Sequence, residues 1–311
     1  MPRLAKCIPS ARCWRKSSDW PQAGHAIQES FEGASAMSVE SVATRAQANV
    51  NTGSVEAAAP AFGANLPPWP QVDFAEFGEV EVKPVSRIQK LTGAFLSRNW
   101  LTIPHVTHHD DADITSLESY RKARNEANPA VKLTPLVFLI KAVVRALQEF
   151  PQFNASLDGD GKNIVLKKYF HIGVAVDTRF GLLVPVLRNC DKKSVEELSV
   201  ELAAISQKAR EKGLSMAEMS GGCFSISSLG GFGGTGFTPI VNAPEVAILG
   251  VTKTRLAAAP ADDGGVSWRK MLPLSLSYDH RVINGADAAR FAAFIGTVLA
   301  DPQALAGQQT I

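Results

Sequence analysis

The chain has 311 residues, of which 45% are hydrophobic, and its formal net charge at pH 7 is +2. A chain of this length can bury one large core or two modest ones. The nearly neutral charge gives no support to nucleic-acid binding. No apolar run approaches the roughly 20 residues of a membrane-spanning helix, so we expect no membrane insertion. Cys7, Cys13, Cys190 and Cys223 lack the spacing of a metal site or a disulfide framework, which predicts free thiols in a reducing cytoplasm.

Residues 1–70 are predicted to be disordered or to form a linker. They are rich in Ala, Ser, Gly and Gln and poor in large aliphatic residues, and they show no sustained periodicity. The basic residues that precede Asp19 leave a transit peptide open, although no amphipathic stripe accompanies them. Residues 57–70 are typical of a semi-stiff Pro/Ala linker. We therefore place the folded domain at residues 71–311.

Within this domain the periodicity predicts one α/β unit with a mixed sheet. Helices are predicted over residues 86–99, 115–128, 134–149 and 194–212, with capping boxes that begin at Thr115 and Ser194. Strands are predicted over residues 104–114 (interrupted at His108 and His109), 224–228, 247–252 and 272–278, and residues 163–187 contain two strand-like runs separated by a turn at 178–181. The alternation of strands and helices is too irregular for a doubly wound nucleotide-binding fold.

Two local motifs suggest ligands that the rest of the sequence does not support. The Gly-rich loop at 230–236 follows a strand, but it leads into Phe237-Thr238-Pro239, which cannot begin the helix of a dinucleotide site. The string His108-His109-Asp110-Asp111 could hold a metal ion, but neighbouring strand residues point to opposite sides and chelate poorly together. We expect a flexible turn at the first motif, a solvated strand edge or loop at the second, and no metal site.

The strongest functional motif lies where the last predicted strand ends. The alternating run 274–278 stops at Asp279-His280-Arg281, and a helical pattern begins after Gly285. A histidine at a strand end beside a turn can be presented as a general base, although a capped core histidine is the commoner role of a single His. The whole string Asp-His-Arg-Val-Ile-Asn-Gly-Ala-Asp (279–287) resembles the active-site signature of the dihydrolipoamide acyltransferases, the E2 components of 2-oxoacid dehydrogenase complexes.

The resemblance extends over about residues 70 to 300 and follows the family's order. It is carried by strings at 72–80, 86–91, 98–107, 112–115, 171–178, 224–230 and 239–245. It is nearest to the acetyl-transferring, pyruvate branch. It implies a chloramphenicol-acetyltransferase-like two-layer sandwich with a mixed sheet that works as a homotrimer. The family builds larger cores from trimers through an apolar C-terminus, whereas residues 304–311 are more polar here.

The resemblance also implies roles for three residues. His280 is the candidate general base that activates a thiol, and Ser227, in Phe224-Ser225-Ile226-Ser227, is the candidate donor to the oxyanion of the tetrahedral intermediate. Ser228 should point away from the site, since adjacent strand side chains alternate. Asn284 stands where the family often has Asp, so we expect it to orient groups through hydrogen bonds rather than through charge. Asp279 and Arg281 are expected to lock the turn through an ion pair.

The implied reaction moves an acetyl group between dihydrolipoamide and coenzyme A in pyruvate metabolism, downstream of glycolysis. Coenzyme A or acetyl-CoA is then a substrate, and lipoamide is expected in trans, because no lysine lies in a lipoyl-domain hairpin. The family's partners are the pyruvate decarboxylase component (E1) and dihydrolipoyl dehydrogenase (E3), but no module that binds them is recognisable. Two alternatives stay open: a catalytically idle core scaffold, and an acyltransferase of the same fold with another acceptor.

Overall fold

The computed structural model describes residues 70–179, 181–261 and 263–307. The predictions for residues 1–69, including those for Cys7 and Cys13, lie outside these ranges. The helices are α1 (Arg87–Thr102), α2 (Thr115–Ala127), α3 (Pro135–Glu149), α4 (Val195–Lys212), α5 (Met216–Met219), α6 (Gly285–Ala300) and α7 (Pro302–Gly307). The strands are β1 (His105–Asp113), β2 (Ala155–Leu157), β3 (Ile164–Leu166), β4 (Ile172–Val174), β5 (Val176–Thr178), β6 (Gly181–Leu183), β7 (Val186–Leu187), β8 (Phe224–Ser228), β9 (Ala247–Val251), β10 (Arg255–Pro260) and β11 (Val266–Asp279).

A mixed sheet forms the centre of the domain. Its strands follow the order β1-β11-β9-β8-β4-β7, and β10 pairs with the first part of β11. The pairs β4–β8 and β8–β9 are parallel, whereas the other pairs of this sheet are antiparallel. Two small sheets, β2–β3 and β5–β6, lie outside it. The predicted α/β class with a mixed sheet is confirmed.

The two faces of this sheet differ in chemistry. On one face, alternate residues such as Phe224 and Ile226 of β8 and Leu276 and Tyr278 of β11 join residues of α3 and α6 in the main hydrophobic core. The residues in between point to the opposite side, because successive side chains of a strand alternate. We call that side the polar face, and it is formed by Thr107 and His109 of β1, Ser225 and Ser227 of β8, and Ser275 and Ser277 of β11.

Local sequence explains where the helices begin. At α4 the predicted capping box is present: Glu197 N donates to Ser194 Oγ at 3.1 Å and Ser194 N donates to Glu197 Oε2 at 2.7 Å. The capping box predicted at Thr115 is wrong. The Thr115 hydroxyl donates to Asp113 Oδ1 at 2.5 Å and accepts from Lys270 N at 2.8 Å. It therefore ties the start of α2 to β11 instead of capping the helix.

Several strand boundaries differ from the prediction. β1 has no interruption at His108 and His109, because each of its residues pairs with a residue of β11. Residues 163–187 contain five short strands rather than two runs, with the predicted turn between β5 and β6. β10 and the first part of β11 were not predicted, because their side chains are mostly exposed and lack a buried apolar stripe. Long-range pairing, rather than local pattern, forms these strands.

The apolar helix α3 contains a buried lysine. Lys141 is 4% exposed, and its Nζ donates to the backbone carbonyl oxygens of Cys190 at 3.2 Å, Asp191 at 3.3 Å and Lys193 at 2.9 Å. Burial lowers the pKa of this ammonium group. The three carbonyl groups satisfy its donors, so Lys141 fixes the segment that leads into α4.

Candidate active site

His280 lies at the point where β11 ends and the turn toward α6 begins. Its backbone N donates to Pro104 O at 3.1 Å, which joins the turn to the residue before β1. The side chain is exposed. The ring of Tyr278, whose pKa is raised by burial, lies 5.9 Å from the imidazole between centroids. The strand and the turn therefore present an accessible imidazole on a rigid support, as a general base requires.

The predicted ion pair beside His280 is confirmed. The Asp279 carboxylate accepts from Arg281 N at 3.0 Å, from Arg281 Nε at 2.9 Å and from Arg281 Nη2 at 2.6 Å. The hydrogen bond to Asp279 raises the pKa of the Arg281 guanidinium further above its ordinary value. Because Asp279 is 2% exposed, its carboxylate is committed to this turn and is not free to act on a substrate.

The other histidines in the described ranges have structural contacts or lack a comparable setting. His105 Nδ1 lies 2.8 Å from Ile103 O and its Nε2 accepts from Val241 N at 3.0 Å, which uses both ring nitrogens. His109 Nδ1 lies 3.0 Å from Ser275 Oγ. His171 Nδ1 accepts from Asn189 N at 3.1 Å, and burial lowers the pKa of this imidazole. Within the same ranges the imidazole of His280 has no hydrogen-bond partner, so both of its nitrogens are available.

Asn284 is the N-cap of α6. Asn284 lies four positions after His280 in the chain, and its Oδ1 accepts a hydrogen bond from Asp287 N at 2.9 Å. The side chain thus satisfies one of the amide groups at the first turn of the helix, and this fixes the geometry of the turn that carries His280. The sequence predicted an orienting role for this amide but not the helix cap, although Asn before a helical pattern is a recognised capping signal.

Asn284→Asp is expected to retain most of the transfer activity and an unchanged melting temperature, because Asn and Asp cap helices about equally well. Asn284→Ala should lower the free energy of unfolding by about 1 kcal/mol through loss of the cap. Thermal melting and steady-state kinetics of both variants check this. If Asn284→Asp lost as much activity as His280→Ala, Asn284 would have a direct role in the chemistry.

Ser227 and Ser228 point to opposite faces of β8. Ser227 shares the polar face with Ser225, whereas Ser228 follows the parity of Phe224 and Ile226, which lie in the main core. Ser227 pairs with Gly250 of β9, and Gly250 pairs in turn with Ser275 of β11. Ser227 is half-buried on this polar face, beside the buried Ser225 and Ser275, and it remains the candidate oxyanion donor.

An aromatic ring covers the position next to Ser227. A Cβ at Gly250 would lie 2.6 Å from the Cζ of Phe237, so only glycine leaves room for this ring. Phe237 N donates to Ser275 Oγ at 3.4 Å. A cavity of about 670 Å³ opens beside Phe237 and is also lined by His109 and Gly236. The Gly-rich loop, which contains no helix, therefore ends beside the polar face near Ser227.

Within one chain the two candidate catalytic side chains are far apart. Ser227 lies in the same row across the sheet as Ser275, two strands away. The last residue of β11, Asp279, follows Ser275 by four positions, which is about 13 Å along the strand, and the two strand spacings add about 10 Å across it; His280 comes next, in the turn. Because a proton transfer needs contact within about 3 Å, a single chain cannot bring His280 and Ser227 to one substrate atom.

The described residues contain neither a metal-binding cluster nor a membrane-spanning helix. In those ranges no group of three or more His, Cys, Asp or Glu side chains is placed to hold a metal ion. Across the described helices, none is both long and apolar enough to cross a membrane.

Comparison with known proteins identifies the family. The model of the 2-oxoacid dehydrogenases acyltransferase (catalytic domain) matches residues 77–306. The chain is 56% identical over 244 residues to the dihydrolipoyllysine-residue acetyltransferase component of pyruvate dehydrogenase complex of Haemophilus influenzae. That match covers 77% of this chain and 43% of the relative, so the chain spans less than half of that protein's length.

Solved structures agree with the fold. One comes from a study of the roles of a serine, a histidine and an asparagine in the catalytic mechanism of Azotobacter vinelandii dihydrolipoamide acetyltransferase. Its sequence is 52% identical to this chain and its TM-score is 0.74. The match covers 77% of this chain and 99% of that one. Another is the cubic core of the pyruvate dehydrogenase multienzyme complex, 53% identical, with the same TM-score and coverage. The chain belongs to the 2-oxoacid dehydrogenase acyltransferase family and contains its catalytic domain.

Proposed function

We propose that the chain transfers an acetyl group between dihydrolipoamide and coenzyme A as the core acyltransferase of a pyruvate dehydrogenase complex. The observation that carries this proposal is the 56% identity, over the domain that contains His280 and Ser227, to an acetyltransferase of that complex. The histidine and asparagine studied in the Azotobacter enzyme are four positions apart, as are His280 and Asn284 here. That spacing supports their assignment to the site.

The reaction can be written with the groups of this site. His280 removes the proton from the thiol of coenzyme A, and the thiolate attacks the thioester carbonyl of acetyl-dihydrolipoamide. The Ser227 hydroxyl donates to the oxyanion that forms. When the intermediate collapses, the carbon–sulfur bond to dihydrolipoamide breaks, and the leaving sulfur takes the proton back from the His280 imidazolium. Transfer between two thiols in this way requires no acyl-serine.

We propose that the working site is formed by two subunits of a homotrimer, with His280 of one chain facing Ser227 of its neighbour. The separation of these residues within one chain supports this, because the site is incomplete without a second copy. Large exposed apolar side chains near the start of the domain also support it: Phe74, Phe77, Leu91, Phe95 and Trp100 are each between 48% and 78% exposed. Apolar surface of this kind is typical of protein interfaces. The likeness to a cubic core supports assembly beyond the trimer.

The substrates and partners follow from the family. Coenzyme A and lipoamide enter as substrates, with lipoamide presented on a lipoyl domain in trans and with E1 and E3 acting before and after the transfer. We place the protein in the cytoplasm, which the free, buried thiols of Cys190 and Cys223 support. Residues 1–70 are proposed to be a linker that precedes the catalytic domain at 71–311.

The direct test is to incubate the purified chain with acetyl-CoA and free dihydrolipoamide and to follow both acetyl-dihydrolipoamide and free coenzyme A. Equal formation of the two products is the expected result. Failure to transfer, by a chain that has assembled correctly, would favour the idle scaffold. Release of coenzyme A only with a different acceptor would favour the alternative acyltransferase.

A further inference from the structure

A buried carboxyl group lies at the end of the sheet where β11 ends and His280 follows. Glu245, two positions before β9, is 5% exposed. The next residue, Val246, accepts a hydrogen bond through its backbone oxygen from Asp279 N at 2.8 Å. On its other side the Glu245 carboxyl faces Ser225, which precedes Ser227 by two positions on β8. Glu245 thus lies between the strands that carry the two candidate catalytic residues.

Two glycines provide the space that this polar cluster occupies. A Cβ at Gly222 would lie 2.7 Å from Glu245 Oε1, and a Cβ at Gly173 would lie 2.8 Å from Ser225 Oγ. Neither approach is possible for a real side chain in a close-packed interior, so any larger residue at either position would displace a polar group. The backbone around Glu245 and Ser225 therefore forms a site that fits these two side chains.

The hydrogen bonding of this site is incomplete for an anion. Asn242 Nδ2 donates to Glu245 Oε1 at 3.4 Å. Among the described residues, neither Glu245 Oε2 nor Ser225 Oγ makes a hydrogen bond of good geometry, although the Ser225 hydroxyl lies close enough to the carboxyl to act on its pKa. A carboxylate can only accept, whereas a protonated carboxyl has an O–H to donate to a nearby hydroxyl. A buried anion with so few donors is unfavourable, and the neutral acid fits the site better.

The charged surroundings agree with a neutral carboxyl. The titratable groups that face Glu245 are the Lys167 ammonium, after β3, and the Cys223 thiol, just before β8. Burial raises the pKa of Glu245 to about 7, and the opposing effects of Ser225, Lys167 and Asn242 are smaller. Burial likewise lowers the pKa of Lys167, whose Nζ donates to Ala155 O at 3.1 Å. Both groups are shifted toward their neutral forms, which argues against a strong ion pair.

We propose that Glu245 is a positioning residue that acts as a neutral carboxylic acid and holds the ends of β8 and β9 so that Ser227 and His280 keep their places. This role rests on the proposed acyl transfer. Glu245 does not touch the substrate. It acts through Ser225 on the strand of Ser227 and through the Val246–Asp279 hydrogen bond on the strand of His280.

The test compares Glu245→Gln, Glu245→Ala and the exposed control Glu149→Gln in the full chain. Because the pKa of Glu245 is raised in the folded state, its stabilising contribution is present below the ordinary pKa of about 4.5 and is lost as pH rises through about 7. The amide of Glu245→Gln cannot ionise, so the melting temperature of this variant should rise relative to the wild type as pH increases from about 4.5 to about 7, and the difference should then stay nearly constant at higher pH. Glu149→Gln should follow the wild type throughout.

Activity provides the second measurement. Glu245→Ala should lower kcat about 10-fold with little change in KM, because misplaced catalytic groups act mainly on the transition state. Glu245→Gln should restore kcat and should keep it at alkaline pH better than the wild type. If Glu245→Ala fails to fold, the pH dependence of Glu245→Gln still decides the question.

Three results would overturn the inference. The first is a melting difference between Glu245→Gln and the wild type that does not change with pH. The second is a Glu245→Gln variant that is less stable than the wild type at alkaline pH, as an ion pair with Lys167 would require, and the third is wild-type kcat in Glu245→Ala. If the wild type transferred no acetyl group but the pH-dependent melting difference were present, the proposed function would fail and the neutral carboxyl would stand.

Discussion

His280→Ala is expected to lower kcat for acetyl transfer by roughly 100- to 10,000-fold, the range typical of removing a general base. The reason is that a thiol is a poor nucleophile until it loses its proton, and the other described histidines either bond to neighbouring groups or lack the strand-end turn. The exposed side chain of His280 makes no hydrogen bond within the described ranges, so the fold and assembly should survive its removal. Kinetics with acetyl-CoA and dihydrolipoamide, together with size-exclusion chromatography, measure both properties.

The matched control is His108→Ala, on β1. This variant should keep wild-type activity, because His108 lies within a strand and not at a turn that follows one. A correctly assembled His280→Ala protein that retained more than a few per cent of the wild-type turnover would show that another group removes the proton.

Ser227→Ala is expected to lower kcat by about 100-fold or more, with a much smaller change in KM, because an oxyanion donor contributes chiefly in the transition state. Ser228→Ala is the internal control: it removes the same hydroxyl from the neighbouring position, which faces the opposite side of β8. Its effect on kcat should be far smaller. Steady-state kinetics of the two variants, with circular dichroism to check folding, decide between the serines. If Ser228→Ala were the damaging substitution, the oxyanion donor would lie on the core side of the strand.

The pattern of the sequence was sufficient to predict the helices and strands that bury an apolar stripe. α3 and α4 and the strand at Phe224–Ser228 were predicted nearly to the residue, because their periodicity is strong and Ser194 supplies a clear cap. β10 and the first part of β11 were missed, since they form a largely exposed hairpin whose pairing is not encoded in local alternation.

The candidate site was also predictable only where it depends on local sequence. The turn at Asp279, His280 and Arg281 was predicted from a local string, and its ion pair is confirmed. The role of Glu245 was not predicted, because burial and the closeness of Gly222 depend on how distant segments pack. The available signal was an acidic residue two positions before the apolar strand β9. The separation of Ser227 from His280 also depends on sheet order, which local pattern does not determine.

The most direct test of a catalytic site shared between chains is to co-express His280→Ala with Ser227→Ala and to assay the mixed assemblies. Each variant alone should be nearly inactive. If the two subunits mix at random, about a quarter of the interfaces in a closed ring join an intact Ser227 to an intact His280, so activity should return to about a quarter of the wild-type value. Mixed assemblies, verified by differential tags, that stay as inactive as the single variants would show that each site lies within one chain and would contradict the account.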